Sequence, residues 1–190
     1  CLQAFRDLFR TDVLDVDQGM TIRSLTFLFT DIRGSTELYE TIGDLAAYDK
    51  VRRHFQLVTA IIAEEAGAVV KTIGDAVMAT FTSPEQGVAA ALRIREGIER
   101  EGGGLRLKLA LHEGPCLAVS PDERQDYFGQ TVNIASRLQH LATGSGLVAT
   151  SAVAEADPVR DMLRMRGLDV SRRVAQLRGV RQAVTIHEIG

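Results

Sequence analysis

The stretch SLTFLFTD, Ser24 to Asp31, runs directly into IRGST, Ile32 to Thr36, and this junction decides the fold. Its first eight residues are rich in β-branched and aromatic side chains, which is typical of a buried strand. Charge and Gly34 end the apolar run abruptly, and helical spacing begins at Ser35. The sequence therefore predicts a core strand that ends in a carboxylate and turns at once into a helix.

A helical segment and then a hairpin are predicted downstream of this junction. Apolar residues recur every three or four positions from Ser35 to about Ala66, and Gly43-Asp44 is expected to divide the segment into two helices. The next stretch, AGAVVKTIGDAVMATF, has two short apolar runs on either side of Gly74-Asp75, which is a strong hairpin signal. We therefore expect Asp75 at the tip of a hairpin.

The second half of the chain continues this alternation of strands and helices. The patterns predict a helix from Pro84 to about Glu101, a strand from Leu105 to His112, a helix from about Gly129 to Leu141, and strands at Gly146 to Thr150, near Val174 to Leu177 and at Ala183 to Ile189. This order predicts an α+β fold, a ferredoxin-like antiparallel sheet with helices packed on one face.

Size and composition limit the possible partners. The 190 residues are 45% apolar and 25% charged, which suits one globular domain. A net charge of -3 provides no basic field for a nucleic acid or for an anionic membrane, so neither partner is expected. Two cysteines are too few for a disulfide framework, which favours a cytoplasmic location.

The first twenty residues are expected to differ from the rest of the chain. Residues 1–20 begin with Cys1 instead of methionine and are amphipathic, so we expect them to be a linker or the tail of a preceding region. Residues 21–190 are expected to form the functional domain. Neither a run of 18 apolar residues nor a signal peptide is evident, and an upstream regulatory domain is expected outside the chain.

Asp31 and Asp75 are candidate metal ligands. A strand end and a hairpin tip in one sheet would deliver both carboxylates to the same edge on rigid elements. Two unit charges about 4 Å apart repel by about 4 kcal/mol at an effective dielectric of about 20, so a close pair recruits cations. Either aspartate alone would more often be a turn residue, but together they favour Mg²⁺ or Mn²⁺.

The segment from Ile32 to Thr36 supplies a second part of the candidate site. Gly34 lets the backbone turn sharply, and the amides at the start of the following helix can point at phosphate oxygens. A carboxylate, a glycine turn and a helix start together describe a cradle for a metal-bound triphosphate.

Four further polar residues are candidates for substrate contacts. Lys71 interrupts the apolar run AVVKTI, where a solvent-facing lysine at a strand edge is the simpler alternative. Asn133 and Arg137 are spaced i, i+4 and so share one helix face, which solvation alone could explain. Asp126, before an aromatic turn, adds a third polar group directed at the same region.

Three segments, FTDIRGST, KTIGDAVMATF and DYFGQTVNIASR, resemble in this order the three signature segments of class III nucleotide cyclases. The resemblance covers about Ser24 to Ile189 and implies that family's fold. It further implies that two metal ions, Mg²⁺ or Mn²⁺, bind at Asp31, Asp75 and the Ile32 carbonyl. The other implied substrate contacts are Lys71 and Asp126 on the purine, Asn133 on the ribose, Arg137 on the α-phosphate, and Arg178 and the segment Arg33, Gly34, Ser35 and Thr36 on the phosphates.

The resemblance also implies a reaction, attack of the ribose 3′-hydroxyl of a nucleoside triphosphate on its α-phosphate. Adenine offers an acceptor at N1 and a donor at N6, which match Lys71 and Asp126, so ATP is the expected substrate. The alternatives are a guanylate or other nucleotide cyclase and a non-catalytic nucleotide-binding dimerisation module of the same fold. In this family, metal ligands and base-reading residues of one site come from different protomers, which implies a homodimer.

Overall fold

The computed structural model describes residues 20–102, 104–120, 125–142 and 146–190. The predicted upstream segment, apart from Met20, lies outside these residues. The strands are β1 Met20–Ile32, β2 Ala68–Ile73, β3 Ala76–Phe81, β4 Leu107–Val119, β5 Asp126–Phe128, β6 Leu147–Thr150, β7 Val170–Ala175 and β8 Val184–Ile189. The helices are α1 Ser35–Ile42, α2 Asp44–Glu64, α3 Pro84–Glu101, α4 Gln130–Leu138, α5 Ser151–Ala154 and α6 Asp157–Met165, and a 3-10 turn, Gln139–Leu141, follows α4. None of these helices is long and apolar enough to span a bilayer.

One sheet organises the chain, in the order β2-β3-β1-β4-β6-β8-β7, with β5 paired to β4. The first four strands are antiparallel to their neighbours and have the strand order of a ferredoxin-like sheet. The α+β prediction is thereby confirmed. Beyond β4 the pairing changes, because β6 runs parallel to β4, so the complete sheet is mixed.

The helices cover both faces of the sheet. Leu28 of β1 belongs to one core cluster with Ile62 of α2 and Leu92 of α3. Its neighbour Phe29 points to the other face and packs with Ala135 of α4. The expectation that all helices lie on one face is therefore wrong for α4. The sheet is apolar on both sides, and the amphipathic pattern of a helix does not specify which side it covers.

Local signals explain where several helices begin and end. Gly43, with φ of 79°, separates α1 from α2, as predicted. The hydroxyl of Ser83 accepts a hydrogen bond from the Gln86 amide at 3.4 Å, and Pro84 occupies the first turn of α3. In contrast, β4 extends seven residues past the predicted end at His112, because Glu113 to Pro115 continue in the strand opposite β1 instead of breaking it.

Gly146 lies where β6 approaches β4, and it offers a test of the fold. Its φ is 78°, and a Cβ atom there would lie far inside van der Waals contact of the Leu107 carbonyl oxygen. We expect Gly146→Ala to lower the free energy of unfolding by about 2–4 kcal/mol, the sum of left-handed strain and overpacking. Urea unfolding measures this loss.

Gly167 provides the matched control for this substitution. Its φ is 63°, but a Cβ atom there would meet nothing within 4 Å. Gly167→Ala should therefore cost only the strain, about 1–2 kcal/mol. Equal losses at the two positions would show that the approach of Gly146 to Leu107 does not constrain the fold.

Candidate active site

Asp31 lies at the end of β1 directly opposite Lys108 of β4. The Lys108 ammonium donates to Asp31 Oδ2 at 2.9 Å, and both side chains are largely buried, at 24% and 19% exposed. Lys108 was not predicted as a site residue. The sequence shows a lysine within the alternating run LRLKLALH, which could have drawn attention to it. The sequence does not show the cross-strand register that pairs this lysine with Asp31.

Asp75 occupies the turn between β2 and β3, as predicted. Gly74 takes the first central position with φ of 63°, the left-handed conformation that primed hairpin turns require there. In the antiparallel register of β1 and β3, Thr30 pairs with Val77, so Asp31 falls beside the turn that carries Asp75. The structure thus brings the two carboxylates to the same end of the sheet.

The donors at this end suit a hard divalent cation. Asp75 Oδ2 is buried and accepts no hydrogen bond from another described residue, so this oxygen is open to an electropositive ligand. In the described part of the chain, no group of three or more histidine, cysteine, aspartate or glutamate side chains is arranged so that it could hold a metal ion. Mg²⁺ commonly binds through one or two carboxylates and completes its shell with water and substrate phosphates. Asp31 and Asp75 fit that pattern.

The segment Ile32 to Thr36 joins this end of the sheet to α1. Ile32 is buried at 2% exposed, and the Arg33 amide donates to the Arg106 carbonyl at 2.7 Å, so this amide is not free to bind phosphate. Gly34 has φ of 70° and precedes α1, which has no side-chain cap at its start. Ser35 and Thr36, in the first turn of α1, therefore remain the amides best placed for an anion.

Lys71 and Asp126 form an ion pair that joins β2 to β5. The Lys71 ammonium donates to Asp126 Oδ2 at 2.6 Å, and the side chains are 39% and 21% exposed. The second carboxylate oxygen of Asp126 accepts from the Tyr127 amide at 2.8 Å. The Tyr127 ring packs edge-on against Phe27, with 5.6 Å between ring centroids. Backbone and core together hold this half-buried pair in place.

Asn133 and Arg137 lie on one side of α4 and line an open cavity of about 660 Å³. The opposite wall is the segment between β7 and β8. The lining residues are Gly129, Gln130, Asn133, Arg137, Gly179, Val180, Arg181 and Gln182. Asn133 and Arg137, which were predicted to share one helix face, therefore both face the same cavity.

The segment between β7 and β8 contains two arginines, Arg178 and Arg181, which have different surroundings. Arg178 was predicted to bind phosphates, but its exposed side chain does not line the cavity, and its backbone carbonyl accepts a hydrogen bond from the Arg137 guanidinium. Arg181, which was not predicted, does line the cavity. Sequence spacing identified a basic segment here without identifying which arginine faces α4.

His54 is a further polar residue that was not predicted. It lies on the inward side of α2 at 0% exposed, and neither ring nitrogen has a hydrogen-bond partner. Burial lowers the pKa of His54 to about 4, and the negative charge of Asp75 opposes this shift. The only sequence signal that could have identified His54 was its position between Val51 and Val58 on an apolar helix face.

The site residues form separate groups in the single chain. Asp31 and Asp75 share one end of the sheet, Lys71 pairs with Asp126, and Arg137 shares the cavity with Asn133. Among the described residues, no hydrogen bond or ion pair joins the two carboxylates to either of the other groups. A site that uses all of them needs a ligand or a second chain to connect its parts.

Known proteins with similar sequences and structures include nucleotide cyclases. Adenylate cyclase 1 of Rhizobium meliloti is 26% identical over 186 residues, which cover 88% of this chain and 27% of that protein. The structure of the adenylyl cyclase CyaB from P. aeruginosa superposes with a TM-score of 0.75 at 22% identity, covering 90% of this chain and 95% of that one. The guanylate cyclase domain of RhGC from Catenaria anguillulae, solved with GTP, gives a TM-score of 0.76 at 18% identity, covering 90% and 98%.

Two limits follow from these matches. The chain spans about a quarter of the Rhizobium relative, so it corresponds to one part of that protein. Adenylate and guanylate cyclases both occur among the similar structures, so the fold does not distinguish ATP from GTP.

The family of the chain is shown by a separate match. The family model for the adenylate and guanylate cyclase catalytic domain matches residues 18–173. The chain belongs to the class III adenylate and guanylate cyclase catalytic domain family.

Proposed function

We propose that this domain is an adenylate cyclase that converts ATP to 3′,5′-cyclic AMP and pyrophosphate. The ion pair between Lys71 and Asp126 carries the choice of ATP, because it places a hydrogen-bond donor and an acceptor 2.6 Å apart. Adenine presents an acceptor at N1 next to a donor at N6, and guanine presents the reverse pattern at these positions. A lysine beside an aspartate therefore complements adenine.

The pair can bind a base without major rearrangement. An ammonium has three N–H donors and a carboxylate has about four acceptor sites, so neither group is exhausted by the contact between them. The Tyr127 amide fixes Asp126 Oδ1, which orients the carboxylate. With exposures of 39% and 21%, both groups can reach a ligand at the surface.

In the proposed reaction, the ribose 3′-hydroxyl gives its proton to solvent water and its oxygen forms a bond to the α-phosphorus, while the bond from this phosphorus to the bridging oxygen of pyrophosphate breaks. Two Mg²⁺ or Mn²⁺ ions, when bound, would lower the pKa of the 3′-hydroxyl and offset phosphate charge. Asp31, Asp75 and the Ile32 carbonyl would hold them. Asn133 orients the ribose, and the Arg137 guanidinium donates to the α-phosphate oxygens, where charge grows in the transition state.

We propose further that the working unit is a homodimer in which each site uses both chains. The separate groups of site residues within one chain support this arrangement. Large apolar side chains that are exposed in the single chain also support it. Ile73, next to the hairpin turn, is 54% exposed, and Leu45 and Tyr48 of α2 are 81% and 59% exposed. A contact with a second chain would remove such side chains from water.

The direct test is to incubate purified protein with each of the four nucleoside triphosphates and either Mg²⁺ or Mn²⁺, and to separate the products by mass. We expect cyclic AMP as the main product. Predominant cyclic GMP would contradict the assignment of Lys71 and Asp126. Nucleotide binding without any cyclic product would instead support a non-catalytic dimerisation module.

Exchanging the two charges tests the base assignment within the protein. The double variant Lys71→Glu with Asp126→Lys keeps an ion pair but reverses donor and acceptor. We expect the ratio of kcat/KM for ATP over GTP to fall by at least about 10²-fold, since two hydrogen bonds of about 1.4 kcal/mol each are inverted. Competing ATP and GTP in one assay measures this ratio.

The control for the exchange is Lys71→Met, which removes the donor without supplying an acceptor. It should weaken the use of ATP and give no gain with GTP. If the double variant kept the nucleotide preference of the wild type, the base would have to be read elsewhere.

A further inference from the structure

A second cavity, of about 460 Å³, lies between the end of α3 and the start of β4. Its lining comes from three segments: Arg95 and Ile98 in the last turns of α3, Arg106 before β4, and Arg33 between β1 and α1. We call it the arginine cavity, after Arg33, Arg95 and Arg106. It shares no described lining residue with the cavity beside α4. Its volume is in the usual range of small-molecule sites, about 300–1,000 Å³.

The arginine cavity concentrates positive charge in a chain that is acidic overall. Among the described lining residues, three arginines face one carboxylate, that of Glu99, which gives a local net charge of +2. The whole chain carries a net charge of -3. A cleft lined mainly by one sign of charge focuses its field and attracts counter-ions. The expected ligand is therefore an anion.

The three arginines of the cavity lack the carboxylate partners that another arginine of α3 has. Arg93 donates to Glu65 Oε1 at 2.6 Å and also to Glu64 on the neighbouring helix α2. Within the described ranges, no carboxylate forms an ion pair with any arginine of the cavity, although Glu99 also lines it. The positive charge of the cavity is therefore available to a ligand.

One of the three guanidinium groups is held in place by the backbone. Arg95 Nη1 donates to the Ile189 carbonyl at 2.9 Å, which connects α3 to the end of β8. A guanidinium has several other N–H donors in a fixed fork, so this contact leaves donors for a ligand. The spacing of that fork matches two oxygens of a carboxylate or a phosphate.

The cavity also has an apolar wall. Ile98 and Leu109 line it and are 6% and 1% exposed, and Leu109 belongs to the same core cluster as Leu28. Arg33 and Arg106 are exposed. The cavity therefore extends from exposed guanidinium groups to buried apolar side chains. A ligand with a charged end and an apolar body would remove apolar surface from water here.

We propose that the arginine cavity binds a small organic oxyanion, a carboxylate or a phosphate ester that carries an apolar group. The oxyanion accepts hydrogen bonds from the guanidinium groups of the cavity, and the apolar group packs against Ile98 and Leu109. The proposal assigns the Arg33 side chain to this cavity and not to the substrate phosphates. The site is separate from the proposed substrate site, so its occupancy does not depend on the cyclase reaction.

The test titrates the isotope-labelled chain with phenyl phosphate and with benzoate, and follows binding by NMR. Binding of either probe at the cavity supports the proposal, and the probe that binds more tightly identifies the oxyanion. Arg106→Gln, a change at an exposed position, should raise the Kd of that probe by about 10-fold or more, because a charge-assisted hydrogen bond is lost. Arg100→Gln is the matched control. Arg100 is exposed on the same helix as Arg95, pairs with Glu96 and does not line the cavity, so the Kd should not change.

Two further comparisons can overturn the proposal. If Arg137→Ala raised the Kd of the probe while Arg106→Gln did not, the probe would bind in the cavity beside α4, and the arginine cavity would not be the site. Inorganic phosphate and acetate lack the apolar ring and should bind at least about 10-fold more weakly than phenyl phosphate and benzoate. Equal affinities with and without the ring would contradict an organic ligand, and no binding of either aromatic probe would overturn the proposal as a whole.

Discussion

Arg137→Ala is expected to lower kcat for cyclic nucleotide formation by about 10²- to 10³-fold, with little change in KM. The guanidinium of Arg137 projects from α4 beside the cavity and is steadied by the backbone carbonyl of Arg178. A preorganised donor aimed at oxygens that gain charge acts mainly in the transition state, and removing one such donor costs about this much. Steady-state kinetics with ATP separate kcat from KM.

The kinetic pattern distinguishes this role from a general effect of charge or folding. Arg160→Ala removes an exposed arginine of α6 that pairs with Asp157, and it should leave kcat unchanged. Arg137→Lys retains a positive charge without the planar fork of donors and should fall between the wild type and Arg137→Ala. A rise in KM with unchanged kcat for Arg137→Ala would mean that the arginine binds substrate and transition state equally.

A heterodimer of an Asp31→Ala chain with an Arg137→Ala chain should recover about half of the wild-type activity per dimer, although each variant alone should keep only a small fraction of it. Such a dimer contains one site with both defects and one site with neither, provided that the carboxylates and the arginine of a site come from different chains. Coexpression with two different tags and purification on both isolates the mixed dimer for assay.

The matched control for this recovery pairs Asp31→Ala with Asp75→Ala. Both substitutions affect the carboxylate end of the sheet, so every site in that heterodimer carries a defect and no activity should return. Recovery in this control, or none in the first pair, would contradict a site shared between two chains.

Local sequence signals predicted the fold well where a turn or cap residue acts on its own neighbours. Gly43, Ser83 and Gly74 each mark a boundary by satisfying or bending the adjacent backbone, and all three boundaries are where they were expected. The side of the sheet covered by α4 depends on packing between distant segments, and no local signal encodes it. The same is true of β5, whose three residues form a strand only by pairing with β4.

The residues of the candidate site also differ in whether a local sequence signal could identify them. Asp31, Asp75 and Lys71 could be proposed because a charge within or directly after an apolar strand stands out from its neighbours. Lys108 and Arg181 could not, since their importance depends on cross-strand register and on the path of a loop. His54 resembled an ordinary helix residue until its burial and its unpaired nitrogens were known.

The contact of Lys108 with Asp31 has a consequence for cation binding at the proposed metal site. The ammonium lies 2.9 Å from Asp31 Oδ2, so a positive charge of the chain itself offsets the charge of this carboxylate. The chain should therefore keep its fold when divalent ions are chelated, and a divalent ion at the proposed site would have to compete with this ammonium for Asp31. If the ion displaced it, the Lys108 ammonium would still lie near the end of β1, where it could attract an anion that accompanies the metal.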